Sequence, residues 1–161
     1  MRLIEFQLLL LIIASNGAPI LGKAIFKKRW TYPLDGGRYF TDGRPLLGRS
    51  KTWRGVLLAI TAAAVMAWLV GLPVEIGMTI GCFVVLGDAL SSFIKRRLGL
   101  TASSMALGLD QIPEALLPLV ALKTYFNLTW STIMETVTGF LLLELFISYI
   151  LFKLKVRDRP Y

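Results

Sequence analysis

Leu34-Asp-Gly-Gly-Arg-Tyr-Phe-Thr-Asp-Gly-Arg-Pro-Leu-Leu-Gly-Arg-Ser-Lys-Thr-Trp-Arg-Gly55 is the longest polar interval in the chain, and its flanks decide the fold. On either side run apolar segments close to the ~20 residues an α-helix needs to cross a bilayer. Of 161 residues, 55% are hydrophobic and only 17% are charged. Soluble domains carry roughly a quarter charged residues, so this chain has too little polar surface for one. Its apolar runs are continuous rather than alternating, which argues against a transmembrane barrel. The expected fold is all-α: a polytopic integral membrane protein with one transmembrane domain over residues 1–161.

Working outward from the loop, five spans are expected, at about 3–24, 55–70, 75–94, 112–126 and 132–152. Polar loops at about 26–54 and 95–110 lie on one side. The first span holds Ser15-Asn-Gly-Ala-Pro19. Asn16 and Pro19 fit a kinked, packed helix or a helix opened beside a polar cavity. The small-residue cluster resembles a cleavage site, but apolar character resumes at Ile20, so the span is read as retained.

Net charge is +8. In a membrane protein this is first a topological signal, because Lys and Arg are kept on the cytoplasmic side; no nucleic-acid partner is expected. Fifteen of the eighteen cations fall in the long loop, in Lys95-Arg96-Arg97 and in the tail with Lys153, Lys155, Arg157 and Arg159; Lys23 lies beside them, leaving Arg2 and Lys123 elsewhere. The positive-inside rule then places the N-terminus outside and the C-terminus in the cytoplasm. With one cysteine, Cys82, and no histidine, an intrachain disulfide and the Cys/His zinc sites are excluded. Any metal would be a hard, oxygen-bound ion such as magnesium.

Asp88, Ser92 and Lys95 share one helical face in the third span. Ionisable groups there are expensive and face a partner or a cavity. Asp88 is therefore either a structural ion pair or a carboxylate pointing into a cytoplasmic-side pocket. Asp110, before Pro113, fits a helix N-cap. It also lies at a depth similar to Asp88, next to the basic loop, and two carboxylates among cations suit magnesium with a polyphosphate. Gly48-Arg-Ser-Lys-Thr52 lacks the spacing and preceding strand of a P-loop. Lys51 and Arg54 at the start of the second span suit an anion site, or a patch on anionic lipid headgroups. Asp35 to Arg44 is expected to be a flexible cover. Glu75, Glu135 and Glu144 receive no role beyond polar packing.

Three stretches together resemble the CDP-archaeol synthase family: Asn16-Gly-Ala-Pro19; Leu34-Asp-Gly-Gly-Arg through Leu47-Gly-Arg-Ser-Lys-Thr-Trp-Arg-Gly55; and Leu86-Gly-Asp88 with Ser92-Phe-Ile-Lys-Arg-Arg97, followed by Gly108-Leu-Asp-Gln111. The resemblance covers nearly the whole chain. It implies transfer of CMP from CTP to an unsaturated archaeal diether glycerol phosphate, with Mg2+ as cofactor, at a membrane site facing the cytoplasm. It places Asp88 and Asp110 near magnesium and the CTP phosphates, and matches Ser92, Lys95 and Arg96 to a Ser-x-x-Lys-Arg signature. Lys51, Thr52 and Arg54 match the element holding nucleotide phosphate. The chain departs from the family at Ile112-Pro113-Glu114, where a second acidic residue and Phe are common. Either Glu114 substitutes or the metal site has two protein carboxylates. Arg49 stands where the family commonly has an acidic residue. A non-enzymatic transporter or scaffold with a basic headgroup-binding face is the alternative.

Overall fold

The computed structural model describes residues 3–101 and 106–153. Of the cations in the charge tally, Arg2, Lys155, Arg157 and Arg159 lie outside the described residues. Five helices follow one another: α1 (Leu3–Phe26), α2 (Trp53–Leu69), α3 (Val74–Arg97), α4 (Gln111–Ala121) and α5 (Trp130–Lys153). Helices α1, α3 and α5 are long and apolar enough to cross a membrane, while α2 and α4 are shorter apolar helices. At 1.5 Å per residue, 24 residues reach about 36 Å and the 11 of α4 only about 16 Å. The expected fourth span over 112–126 thus forms a short helix continued by turns through Asn127.

Large apolar side chains from α1, α3, α4 and α5 fill the core, among them Leu11, Ile12, Ile80, Leu119, Ile133 and Phe140. Against α3, α2 presents a stripe of small residues, Ala59, Ala63 and Ala67, all buried. Gly77 and Gly81 of α3 face it. A Cβ on Gly77 would stand 2.4 Å from the Ala63 carbonyl oxygen, and one on Gly81 2.7 Å from Ile60 Cα. Small residues allow this close backbone approach between apolar helices.

The bundle has two distinct ends. At one, Gln7 of α1 donates from Nε2 to the Val70 carbonyl at 2.7 Å. A pocket at the same end is lined by Ile4 and Glu5 together with residues of 126–132 and Glu135. At the other end, the loop between α1 and α2 meets the C-terminus of α3.

That loop is built rather than loose, which revises the expectation of a flexible cover. Bridges pair Pro33 with Thr52 and Tyr39 with Pro45. Asp35 accepts from the backbone N–H groups of Gly37, Leu47 and Gly48 at 2.9, 2.9 and 3.2 Å. Arg44 donates to the carbonyls of Arg96 and Arg97, and Arg97 returns a bond to the Pro45 carbonyl at 2.6 Å. Arg97 also pairs with Asp42 at 3.0 Å and lies over the rings of Phe40 and Phe93. Because Arg44 satisfies carbonyls of the last turn, α3 runs through Lys95-Arg96-Arg97 instead of ending at Ile94.

Candidate active site

Asp88 lies one residue beyond Gly87, where α3 and α4 touch backbone to backbone. A Cβ at position 87 would stand 2.4 Å from the Pro113 carbonyl oxygen and 2.7 Å from the Glu114 nitrogen. This crossing sets Glu114 beside Asp88, and their carboxyl groups are hydrogen-bonded. Lys51, reaching in from the loop, places Nζ 2.5 Å from Asp88 Oδ1. From α1, Asn16 Nδ2 donates to Glu114 Oε2 at 2.5 Å. Glu144 of α5 is near enough to Glu114 to act on it electrostatically. The loop and four helices therefore converge on one polar cluster.

Two helical turns further along α3, Lys95 Nζ lies 2.6 Å from Asp110 Oδ1. Asp110 precedes α4 but does not cap it with its side chain. Its Oδ2 instead accepts from the Ala106 N–H at 3.1 Å, and Gln111 Oε1 accepts from the Gly108 N–H at 2.8 Å. Arg96 is buried, donates to the Thr101 carbonyl at 2.8 Å and lies within electrostatic range of Asp110.

Lys51, Asp88, Lys95, Arg96 and Asp110 thus fall into two adjoining carboxylate–cation groups along one helix. The other expected site residues take different contacts. Thr52 Oγ1 accepts from the Gly55 N–H at 3.2 Å as the N-cap of α2. Arg54 donates to the carbonyls of Lys27 and Arg29 at 3.1 and 2.5 Å, tying the start of α2 to the turn after α1. Ser92 is buried on α3. Glu114, weighed above as a substitute for the family's second acidic residue, lies beside Asp88, and Asn16 faces this polar cluster; the direct contact between Asn16 and Glu114 was not expected.

Among the described residues, no group of three or more His, Cys, Asp or Glu is arranged to hold a metal. Magnesium does not need one, since it is bound through one or two carboxylates plus substrate phosphates. The adjacent Asp88 and Glu114 carboxyls, beneath a basic loop, fit that requirement.

Comparison with known proteins agrees with this architecture. The CarS-like CDP-archaeol synthase family matches residues 2–82 and 73–161. A CDP-archaeol synthase of Saccharolobus islandicus (strain Y.N.15.51) is 32% identical over 98% of this chain and 99% of its own length. That of Hyperthermus butylicus is 42% identical over 62% of this chain and 60% of the relative. A solved intramembrane enzyme for archaeal membrane lipid biosynthesis superposes with a TM-score of 0.74 at 28% identity, covering 86% of this chain and 89% of that one. The chain belongs to the CDP-archaeol synthase family.

Proposed function

We propose that the protein transfers CMP from CTP to an unsaturated archaeal diether glycerol phosphate, giving CDP-archaeol and pyrophosphate. Family membership supports the cytidylyltransferase activity. The observation that carries the site assignment is the pairing of Lys51 with Asp88 and Lys95 with Asp110 beneath the basic loop. A non-enzymatic scaffold is not favoured.

In this reading a lipid phosphate oxygen attacks the α-phosphorus of CTP and pyrophosphate leaves. The nucleophile is already an anion, so the work of the protein is positioning and charge compensation rather than base catalysis. Lys51 and Lys95 set positive charge against the incoming phosphates, and the buried Arg96 adds to the field at Asp110. Thr52 and Arg54 hold the start of α2, directly after the loop residue Lys51, so their contribution to phosphate binding includes fixing its approach. Asp88, with Glu114 beside it, would hold magnesium, while Asp110, two helical turns away in the Lys95 group, would reach the ion only through the substrate phosphates. When bound, this ion withdraws charge from phosphate oxygens.

The chain crosses the membrane five times, with its N-terminus outside and the site opening to the cytoplasm of the cell. This topology rests on the positive-inside rule and on the two ends of the bundle: the cation-rich loop lies at one, Glu5 and residues 126–132 at the other. The lipid chains remain in the bilayer while the phosphate head enters the site.

The decisive assay supplies purified protein with Mg2+, labelled CTP and either diether or diester lipid phosphates. Pyrophosphate release and label incorporation with the diether acceptor are expected. No release with any acceptor would overturn the proposal, and preference for the diester would overturn the archaeal-lipid assignment.

A further inference from the structure

Arg97 follows directly on the Ser92-to-Arg96 signature, and the loop that carries Lys51 is fastened to it. Its guanidinium donates to the Pro45 carbonyl at 2.6 Å and pairs with Asp42 Oδ1 at 3.0 Å. It also lies 4.8 and 4.9 Å from the centres of the Phe40 and Phe93 rings, which meet edge to face. Arg44 answers by donating to the Arg97 carbonyl, and its own N–H is held by the same Asp42 oxygen at 3.0 Å. From this clasp a run of backbone bonds leads to Lys51. Leu46 donates to the Arg38 carbonyl at 2.9 Å, Asp35 gathers the N–H groups of Leu47 and Gly48, and Leu34 donates to the Lys51 carbonyl at 2.8 Å. The loop thus meets α3 at two places, Arg97 and Asp88, roughly 13 Å apart along the helix. On its other side Lys51 runs into α2, whose start Thr52 and Arg54 fix.

The attachment at Asp88 does not survive substrate unchanged. Under the cytidylyltransferase reading, on which this inference rests, Lys51 sets its ammonium against incoming phosphate. An ammonium that turns toward phosphate gives up contact with Asp88, and the clasp at Arg97 is then what fixes the hairpin side of the loop. We propose that Arg97 is a positioning residue that, through Asp42 and the hairpin closed by Tyr39 and Pro45, keeps Lys51 over the nucleotide phosphates once Asp88 releases it. Arg97 itself touches no substrate in this assignment. A guanidinium suits the task because its planar fork bonds a carboxylate and a carbonyl while its face lies on aromatic rings, a combination that a lysine ammonium does not reproduce.

The test uses the full-length protein in detergent and measures equilibrium binding of labelled CTP with Mg2+ but no lipid acceptor, so that no turnover occurs. Arg97→Lys keeps the charge and removes the fork and the ring contacts. It should weaken CTP binding about tenfold, the combined scale of a partly exposed ion pair and a cation–ring contact. With the diether acceptor added and CTP saturating, kcat and the KM for the acceptor should stay close to wild type, as should the unfolding temperature. Asp42→Asn retains an acceptor for the Arg44 N–H and should act in the same direction; it decides alone if Arg97→Lys fails to fold. In a Lys51→Met background, Arg97→Lys should weaken CTP binding no further, because residues that act through one another are not additive. The same tenfold loss in that background would overturn the proposal. Wild-type CTP affinity in both Arg97→Lys and Asp42→Asn would also overturn it, and so would a parallel fall in kcat and unfolding temperature, the mark of a purely structural clasp. These outcomes leave the cytidylyltransferase reading intact, whereas absence of pyrophosphate release from the wild-type protein overturns that reading and is seen before any variant is compared.

Discussion

At the residue scale, the two lysine–carboxylate pairs differ in how far water reaches them, and their mutants should differ accordingly. The side chains of Lys95 and Asp110 are 8% and 16% exposed; those of Lys51 and Asp88 are 22% and 34%. Removing one partner of a buried pair leaves an uncompensated charge, at a cost of about 3–5 kcal/mol. Asp110→Asn should therefore lower both stability and activity. Asp88→Asn should keep the fold and lose activity by about a hundredfold or more, the scale of a lost electrostatic contact at the reacting centre. Thermal unfolding in detergent with CMP incorporation on the same samples checks both, and equal destabilisation by the two would overturn the contrast. Asp35 tests the loop. Burial acts to raise its pKa, but the backbone N–H groups of Leu47, Gly37 and Gly48 outweigh it and hold the carboxyl below its ordinary value. A depressed pKa contributes stability above the ordinary carboxylate value, lost as pH falls through the lower folded value. The wild-type loop should thus resist limited proteolysis from neutral pH down to about pH 4, the ordinary carboxylate range. Asp35→Asn should be cut faster at pH 7.

At the scale of elements, glycine decides how closely helices approach. Gly77, Gly81 and Gly87 of α3 each face a backbone atom closer than 3.0 Å from where a Cβ would sit. A backbone neighbour cannot rotate away, so overpacking should cost about 1–3 kcal/mol at each. The functional consequences should separate. Gly77→Ala strains the α2–α3 seam and should lower thermal stability with little change in KM for CTP. Gly87→Ala moves α4, and with it Glu114, and should also cut turnover; equal kinetic effects from the two would contradict this division. The helices themselves were legible in the sequence because hydropathy alone imposes them. Their ends were less so. α3 extends through three cations because Arg44, some fifty residues earlier, satisfies its terminal carbonyls. The Gly77-x-x-x-Gly81 spacing was present as a packing signal, but its partner stripe on α2 became evident only when the two helices were placed together.

At the scale of the whole molecule, what could be read locally and what could not divide along chain separation. Asp88 and Lys95 were found from charge in an apolar span, Lys51 from the basic loop and Asp110 from its depth beside that loop, and their pairing follows from the fold. Asn16 and Glu114 are 98 residues apart, so their contact with each other beside Asp88 depends on how α1, α3 and α4 cross. The same crossing bears on topology. Helix α4 reaches only about 16 Å, roughly half the ~30 Å hydrocarbon core, and by length alone would not span. Yet Asp110 lies at the loop end with Lys95, while residues 126–132 lie with Ile4 and Glu5 at the start of α1. The segment from α4 through its trailing turns therefore traverses the bundle. Cysteine mapping tests whether it also traverses the bilayer, because Cys82 is the only native thiol. In a Cys82→Ala background, Thr124→Cys should react with a membrane-impermeant maleimide in intact cells. Lys28→Cys, on the basic loop, should react only after permeabilisation. Protection of both positions until permeabilisation would mean that α4 returns to the side it left. Labelling of Lys28→Cys alone in intact cells would invert the orientation and place the Asp88 site outside the compartment that holds CTP.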